Sequence, residues 1–152
     1  MAIAIGCDEA ALELKVNLKQ MLQEAGHEVE DFGTFDTSPV LYPDIAFAAA
    51  QSIIEGRNDR AVLLCGTGIG MAISANKVPG IRAAQCHDTY SAERARKSND
   101  AQVITMGARV IGPELARSIL RAWLQSEFEP ERSGPKVARI REFEEAVQAR
   151  HG

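Results

Sequence analysis

No run of apolar residues in this sequence approaches the roughly 20 that a membrane-spanning helix needs. The opening MAIAIGCDEA carries neither a basic region nor a long apolar stretch followed by a small-residue cleavage site. A membrane span and a secretory leader are therefore not expected, and a cytoplasmic home is. Cysteine is scarce: Cys7, Cys65 and Cys86 are odd in number and lack metal-ligand spacing, which argues against a disulfide framework and a structural zinc site and for free thiols. Surplus positive charge is missing too. A formal net charge of -4 and a pI near 5.4 offer no general attraction to nucleic acid or to an anionic membrane, so the expected partner is a small molecule. Internal repeats and low-complexity tracts are absent.

What is present is an ordinary globular balance, 45% hydrophobic and 25% charged over 152 residues, enough for one domain covering residues 1–152. The apolar run AIAIG at 2–6 predicts a strand, and Leu12, Val16, Leu18, Leu22 and Ala25 recur at helical spacing until Gly26. EVEDFG predicts a second strand, DIAFAAAQSIIEG a helix, and Asp59 to Cys65 a third strand whose AVLLC is unbroken in apolar character and suits burial on both faces. A short helix around 71–77, a strand IRAAQC, a helix TYSAERARKS, a strand QVITMG and a helix from Pro113 to Glu127 follow. The polar segment EPERSGPK, read as turn-rich, leads to a last amphipathic helix with Ile140, Phe143 and Val147 on one stripe. This alternation predicts an α/β class fold, a Rossmann-like α/β/α sandwich with a parallel sheet of about five strands and a C-terminal helix. The tail 129–152 has little apolar surface of its own to bury and is expected at a subunit interface.

In an open parallel sheet, ligands sit beyond the carboxyl ends of the strands. Gly6-Cys7-Asp8-Glu9, Cys65-Gly66-Thr67-Gly68-Ile69-Gly70 and Cys86-His87-Asp88 all end strands there. Glycines let successive amides approach an anion, and the following helix start adds positive potential. A thiol in that field is expected to favour its thiolate and to serve as a base on carbon, with loop amides stabilising the oxyanion. The loop is not a Walker loop, since no Lys-Ser/Thr pair follows its last glycine, and its G-x-G-x-G spacing departs from the dinucleotide fingerprint. Cys7 and Cys86 read as small buried hydrophobes, His27 as a helix-end residue near terminal carbonyls, His151 as part of a frayed tail, and Met71 and Met106 as core filler.

From CGTGIGMAISANKVPGIRAA, with AIAIGCD before it and SNDAQVITMGARVIG after it, the chain resembles the ribose-5-phosphate isomerase B and galactose-6-phosphate isomerase family over almost its whole length. The resemblance implies a homodimer or homotetramer with active sites at a subunit interface. It also implies interconversion of phosphorylated aldose and ketose, of the ribose 5-phosphate/ribulose 5-phosphate type, through an enediolate without metal or organic cofactor. Carried across by position, Cys65 matches the proton-abstracting base, Gly66, Gly68, Ile69 and Gly70 the anion hole, and Thr67 an aid to proton transfer. Asp8 and Asn99 match residues that hold substrate hydroxyls; Arg109, Arg132 and Lys136 match a basic set around the phosphate. Met71 stands where a second branch of the family uses a glutamate as base, which assigns this chain to the cysteine type.

Two positions depart from the family pattern. Glu9 replaces the histidine of GCDH, and Ser98 replaces the histidine of HND that opens the sugar ring. His87 is the candidate to take over that proton transfer. A tetrose 4-phosphate, whose 4-hydroxyl is esterified, stays open-chain and needs no such group, and HDTYSAERARKSNDAQVITMGARVIG also resembles the erythrulose and erythrose phosphate isomerase branch. The competing class is a non-catalytic sugar-phosphate sensor, and a nucleotide-binding module ranks last because no ribose-binding acidic residue at the end of the second strand stands in the expected glycine-loop context.

Overall fold

A computed structural model describes residues 1–151 as strands alternating with helices. The strands are β1 (Ala2–Cys7), β2 (Glu28–Asp31), β3 (Arg60–Cys65), β4 (Ala83–Gln85) and β5 (Val103–Gly107), all parallel, in the order β2-β1-β3-β5-β4. The helices are α1 (Leu12–Glu24), α2 (Tyr42–Ile54), α3 (Ile69–Ala75), α4 (Thr89–Lys97), α5 (Pro113–Leu124) and α6 (Pro130–His151). The expected five-stranded α/β/α architecture is the one observed. No described helix is long and apolar enough to cross a membrane.

Every residue of β3 is buried, as its unbroken apolar run requires of a strand covered on both faces. Its side chains alternate. Val62 and Leu64 join Ile3, Ile5, Ile104 and Met106 in a core beneath α1, α4 and α5, where Leu18, Leu22, Leu120 and Trp123 are fully buried. Ala61, Leu63 and Cys65 point the other way, toward Ala46, Ala49 and Ala50 of α2 and Met71 of α3. The alanines let α2 lie close to the sheet: a methyl on Gly6 would come within 2.6 Å of Ile45 Cγ2. This second face is only partly covered, and Phe47, Ile69 and Ile73 remain 41%, 50% and 57% exposed.

Three expectations are corrected. EPERSGPK is helical from Pro130, because proline is accepted in the first turn and Pro135 removes a single donor from an otherwise continuous helix. The helix expected to reach Glu127 stops at Leu124; the chain then turns back, and the Glu129 amide donates to Lys97 O at 3.1 Å. His27 does not serve helix-terminal carbonyls with its ring, whose Nδ1 lies 3.0 Å from the amino terminus. α6 buries only Ser133 and Val137, as expected of a tail with little core of its own.

Strand order reverses between β1 and β3, since the chain leaves β1 toward β2 and then crosses back over β1 to β3. A crevice opens beyond the carboxyl ends of the strands at such a reversal. Asp8 follows β1 and Cys65 ends β3, so the two flank it.

Candidate active site

The turn after Cys65 is held by backbone-to-backbone approach. Gly68 has φ 79°, and a methyl there would sit 2.9 Å from the Met106 carbonyl carbon. A methyl on Gly107 would lie 2.6 Å from Thr67 backbone. Glycine is thus required at Gly68 for both conformation and space. Arg109 N donates to Gly66 O at 3.0 Å, Thr105 Oγ1 to Gly68 O at 2.7 Å, and Gln85 Nε2 to Thr67 O at 2.8 Å. These bonds tie the loop carbonyls to β4, to β5 and to the segment that follows β5. The Gly68 amide donates to Cys65 Sγ at 3.1 Å, and the Ile69 amide to Thr67 Oγ1 at 3.2 Å. The amides of Thr67 and Gly70 have no partner among the described residues. Cys65 is 5% exposed, at the floor of the loop.

Asp8 caps a short 3-10 turn, accepting from the Ala10 amide at 3.0 Å. Burial raises its pKa above the ordinary value, opposed by that hydrogen bond and by the charge of Arg109. The Arg109 side chain lies across Gly66, with Cδ and Nη1 each 3.5 Å from where a methyl would stand. Glu9 is turned toward the β2–α2 loop, where its Oε2 lies 3.4 Å from the Val40 amide. His87 reaches the same edge. Its Nε2 accepts from the Gly107 amide at 2.9 Å, which leaves the ring proton on Nδ1.

One neighbour went unread in the sequence. The ring and hydroxyl of Tyr42, at the start of α2, lie directly on Gly70, so that a methyl there would collide with them. No local spacing announces a contact made across 28 positions.

The remaining residues lie elsewhere. Ser98 and Asn99 precede β5, whereas Gly107 ends it; five residues at about 3.3 Å each put roughly 16 Å of sheet between the two edges. Ser98 Oγ accepts from Arg94 Nε at 2.8 Å and Nη2 at 2.6 Å, and Arg94 Nη1 stands 3.6 Å from Glu129. Arg132 and Lys136, both exposed, sit in the first turns of α6, which begins beside the end of α4. One chain therefore brings Asp8, Cys65–Gly70, His87 and Arg109 together at the carboxyl edge and gathers Ser98, Asn99, Arg132 and Lys136 at the amino edge. The signal was available: a residue just before a parallel strand cannot share an edge with one just after it. The largest cavity described, about 640 Å³ between α6 and residues 76–82, includes no residue of the glycine loop. No cluster of three or more His, Cys, Asp or Glu side chains among the described residues is arranged to hold a metal ion.

The family model described as Ribose/Galactose Isomerase matches residues 3–140. The chain is 57% identical over 145 residues to a D-erythrulose-4-phosphate isomerase of Pectobacterium atrosepticum, covering 95% of each. It is equally 57% identical over 145 residues to a ribose-5-P isomerase B of Listeria innocua, covering 95% of this chain and 98% of the relative. Among solved structures, the ribose-5-phosphate isomerase B of Clostridium thermocellum superposes with a TM-score of 0.95 at 42% identity, over 97% of this chain and 99% of that one.

Proposed function

Because the chain belongs to the ribose/galactose isomerase family of sugar-phosphate isomerases, we propose that it interconverts a phosphorylated aldose and ketose with Cys65 as the base. Cys65 Sγ takes the proton from the carbon beside the carbonyl, the electron pair moves to the carbonyl oxygen, and an enediolate forms. The sulfur then returns the proton to the neighbouring carbon while Thr67 aids the transfer between the two oxygens. The observation that carries this reading is the Gly68 amide held 3.1 Å from the sulfur within a turn whose Thr67 and Gly70 amides are free. Donors fixed before the reaction stabilise the developing oxyanion at no cost of reorganisation. As written, the proton transfer calls for neither a metal nor an organic cofactor.

Asp8 and Asn99 hold substrate hydroxyls, and Arg109, Arg132 and Lys136 surround the phosphate. Their separation onto two edges requires two copies of the chain, each lending Asn99, Arg132 and Lys136 to the other's Cys65. The partly uncovered face bearing Phe47, Ile69 and Ile73 supports such a homodimer or homotetramer. Glu9, drawn toward Val40, is directed away from the phosphate. His87 offers its Nδ1 proton for transfer.

A specific observation favours a four-carbon substrate over a pentose. Ser98, doubly bonded by Arg94, has no group that titrates near neutrality, so a furanose would meet no acid–base partner for ring opening there. A tetrose 4-phosphate needs none. The test is kcat/KM for erythrose or erythrulose 4-phosphate against ribose 5-phosphate, with solvent exchange of the substrate's C2 proton followed alongside. Preference for the tetrose is expected; preference for ribose 5-phosphate overturns the four-carbon assignment, and binding without exchange makes the protein a sensor. The site of action is the cytoplasm, as the sequence suggests.

A further inference from the structure

Asn99 stands at the end of α4, in a turn that its own helix only partly holds. The Asp100 amide donates to Arg96 O at 3.1 Å and the Ala101 amide to Ala95 O at 2.8 Å, with Asp100 in the left-handed region at φ 49°. The first of these bonds is the single closure of a helix C-terminus by a left-handed residue, here an aspartate where glycine is usual. It leaves the carbonyls of Asn99 and Asp100 without partners in the helix. Arg82, immediately before β4, supplies them: Nε donates to Asn99 O at 3.0 Å and to Asp100 O at 3.1 Å, and Nη2 to Asp100 O at 2.9 Å.

Arg82 is itself anchored. Its amide donates to Gln102 Oε1 at 2.8 Å, Gln102 Nε2 donates to Gly80 O at 2.8 Å, and the Gly80 amide donates to the Glu144 carboxylate of α6 at 3.0 Å. A hydrogen-bonded chain thus runs from the helix bearing Arg132 and Lys136, through the Gly80 turn, to the main chain of Asn99. The Asn99 side chain is exposed and has no partner among the described residues.

We propose that Arg82 is a positioning residue: its guanidinium fork fixes the main chain of Asn99 and so sets where that amide meets a substrate hydroxyl in the adjoining subunit's site. The inference rests on the isomerase reading above. A fork of N–H donors spans two successive carbonyls in a fixed geometry that a lysine cannot reproduce. A misplacement on the order of 1 Å is enough to cost one to two orders of magnitude in kcat/KM.

The test is a double-mutant cycle on Arg82→Met and Asn99→Ala, reading kcat/KM with erythrulose 4-phosphate and ribose 5-phosphate, with the thermal midpoint recorded for each variant. Arg82→Met is expected to lower kcat/KM about tenfold or more, mainly through KM, and the double variant to be no worse than Asn99→Ala, since a positioning effect vanishes when the positioned group is gone. Arg82→Lys should recover part of the loss. Multiplying losses in the double variant, or a wild-type kcat/KM in Arg82→Met, would overturn the inference alone. A wild-type kcat/KM in Asn99→Ala would instead overturn the placing of Asn99 on substrate, and the inference with it. Should Arg82→Met fold poorly, Arg82→Lys carries the same cycle.

Discussion

The two edges of the sheet bring opposite kinds of chemistry. At the carboxyl edge the donors are main-chain amides around a sulfur, fixed by glycines pressed against β5, and the carboxylate that follows β1, Asp8, has its pKa raised by burial. At the amino edge the donors are long side chains: Arg94 on Ser98, Arg82 on the Asn99 turn, and Arg132 and Lys136 exposed on α6. The first is rigid and suited to charge that develops during reaction. Under the proposed function the second holds hydroxyls and a phosphate. On that reading neither is a complete site, which is the physical reason for expecting chains to pair.

The hardest blow to the comparison is Cys65→Ala. Loss of the base should lower kcat by about a thousandfold with little change in KM, measured by steady-state kinetics; unchanged turnover would place the base elsewhere. Next comes complementation. Chains carrying Cys65→Ala and chains carrying Asn99→Ala, Arg132→Ala and Lys136→Ala together should each be nearly inactive. Dissociated and reassociated in equal amounts, half the dimers are mixed and each mixed dimer holds one intact site of two, so about a quarter of wild-type activity should return. Activity that stays at the average of the two parents would mean each chain works alone.

The carboxyl edge also depends on a buried pair that the amino edge lacks. Lys15, 2% exposed, bonds Asp31 at 2.9 Å and also Thr34 O, pinning the end of β2 beside the Cys7–Asp8 segment. Asp31→Asn strands that ammonium, and a loss of about 3 kcal/mol is expected in urea unfolding at neutral pH. Burial pushes the Asp31 pKa up, but the bonds from Lys15, the Gly33 amide and Lys19 outweigh it, and the folded value lies below the ordinary one. The stabilisation is therefore complete above about pH 4 and lost as pH falls through the folded pKa. Acid unfolding of Asp31→Asn should lack that component; an unaltered pH profile would contradict the assignment. The smallest effect belongs to Ser98→His, which should raise kcat/KM for a ring-closing pentose phosphate by several-fold, short of the roughly 10²–10⁴-fold of a fully positioned general acid–base group, while leaving a tetrose phosphate nearly unchanged.

The glycine loop was legible because part of its requirement is local: Gly68 turns at φ 79°, a left-handed conformation that favours glycine. The strands were legible because β3 buries both faces and carries no polar residue between Ala61 and Cys65. The start of α6 was not, since Pro130, Gly134 and Pro135 mimic a loop when the packing of Ser133 and Val137 is unseen. Tyr42 over Gly70 and Arg82 over Asn99 were invisible for a related reason. They join segments remote in sequence, and nothing in the spacing of either segment requires the other.

By itself, the order of residues determined which strands form, where the chain turns on glycine, and which sulfur stands at the head of a helix, because each follows from steric and burial rules acting over a few positions. Only the tertiary structure decided that α6 sets Arg132 and Lys136 beside the end of α4, that Glu9 turns toward Val40, and that Arg82 bonds the main chain of Asn99. Those outcomes depend on strand direction and on side chains reaching across the sheet, and the energies that select them arise only once distant segments are packed together.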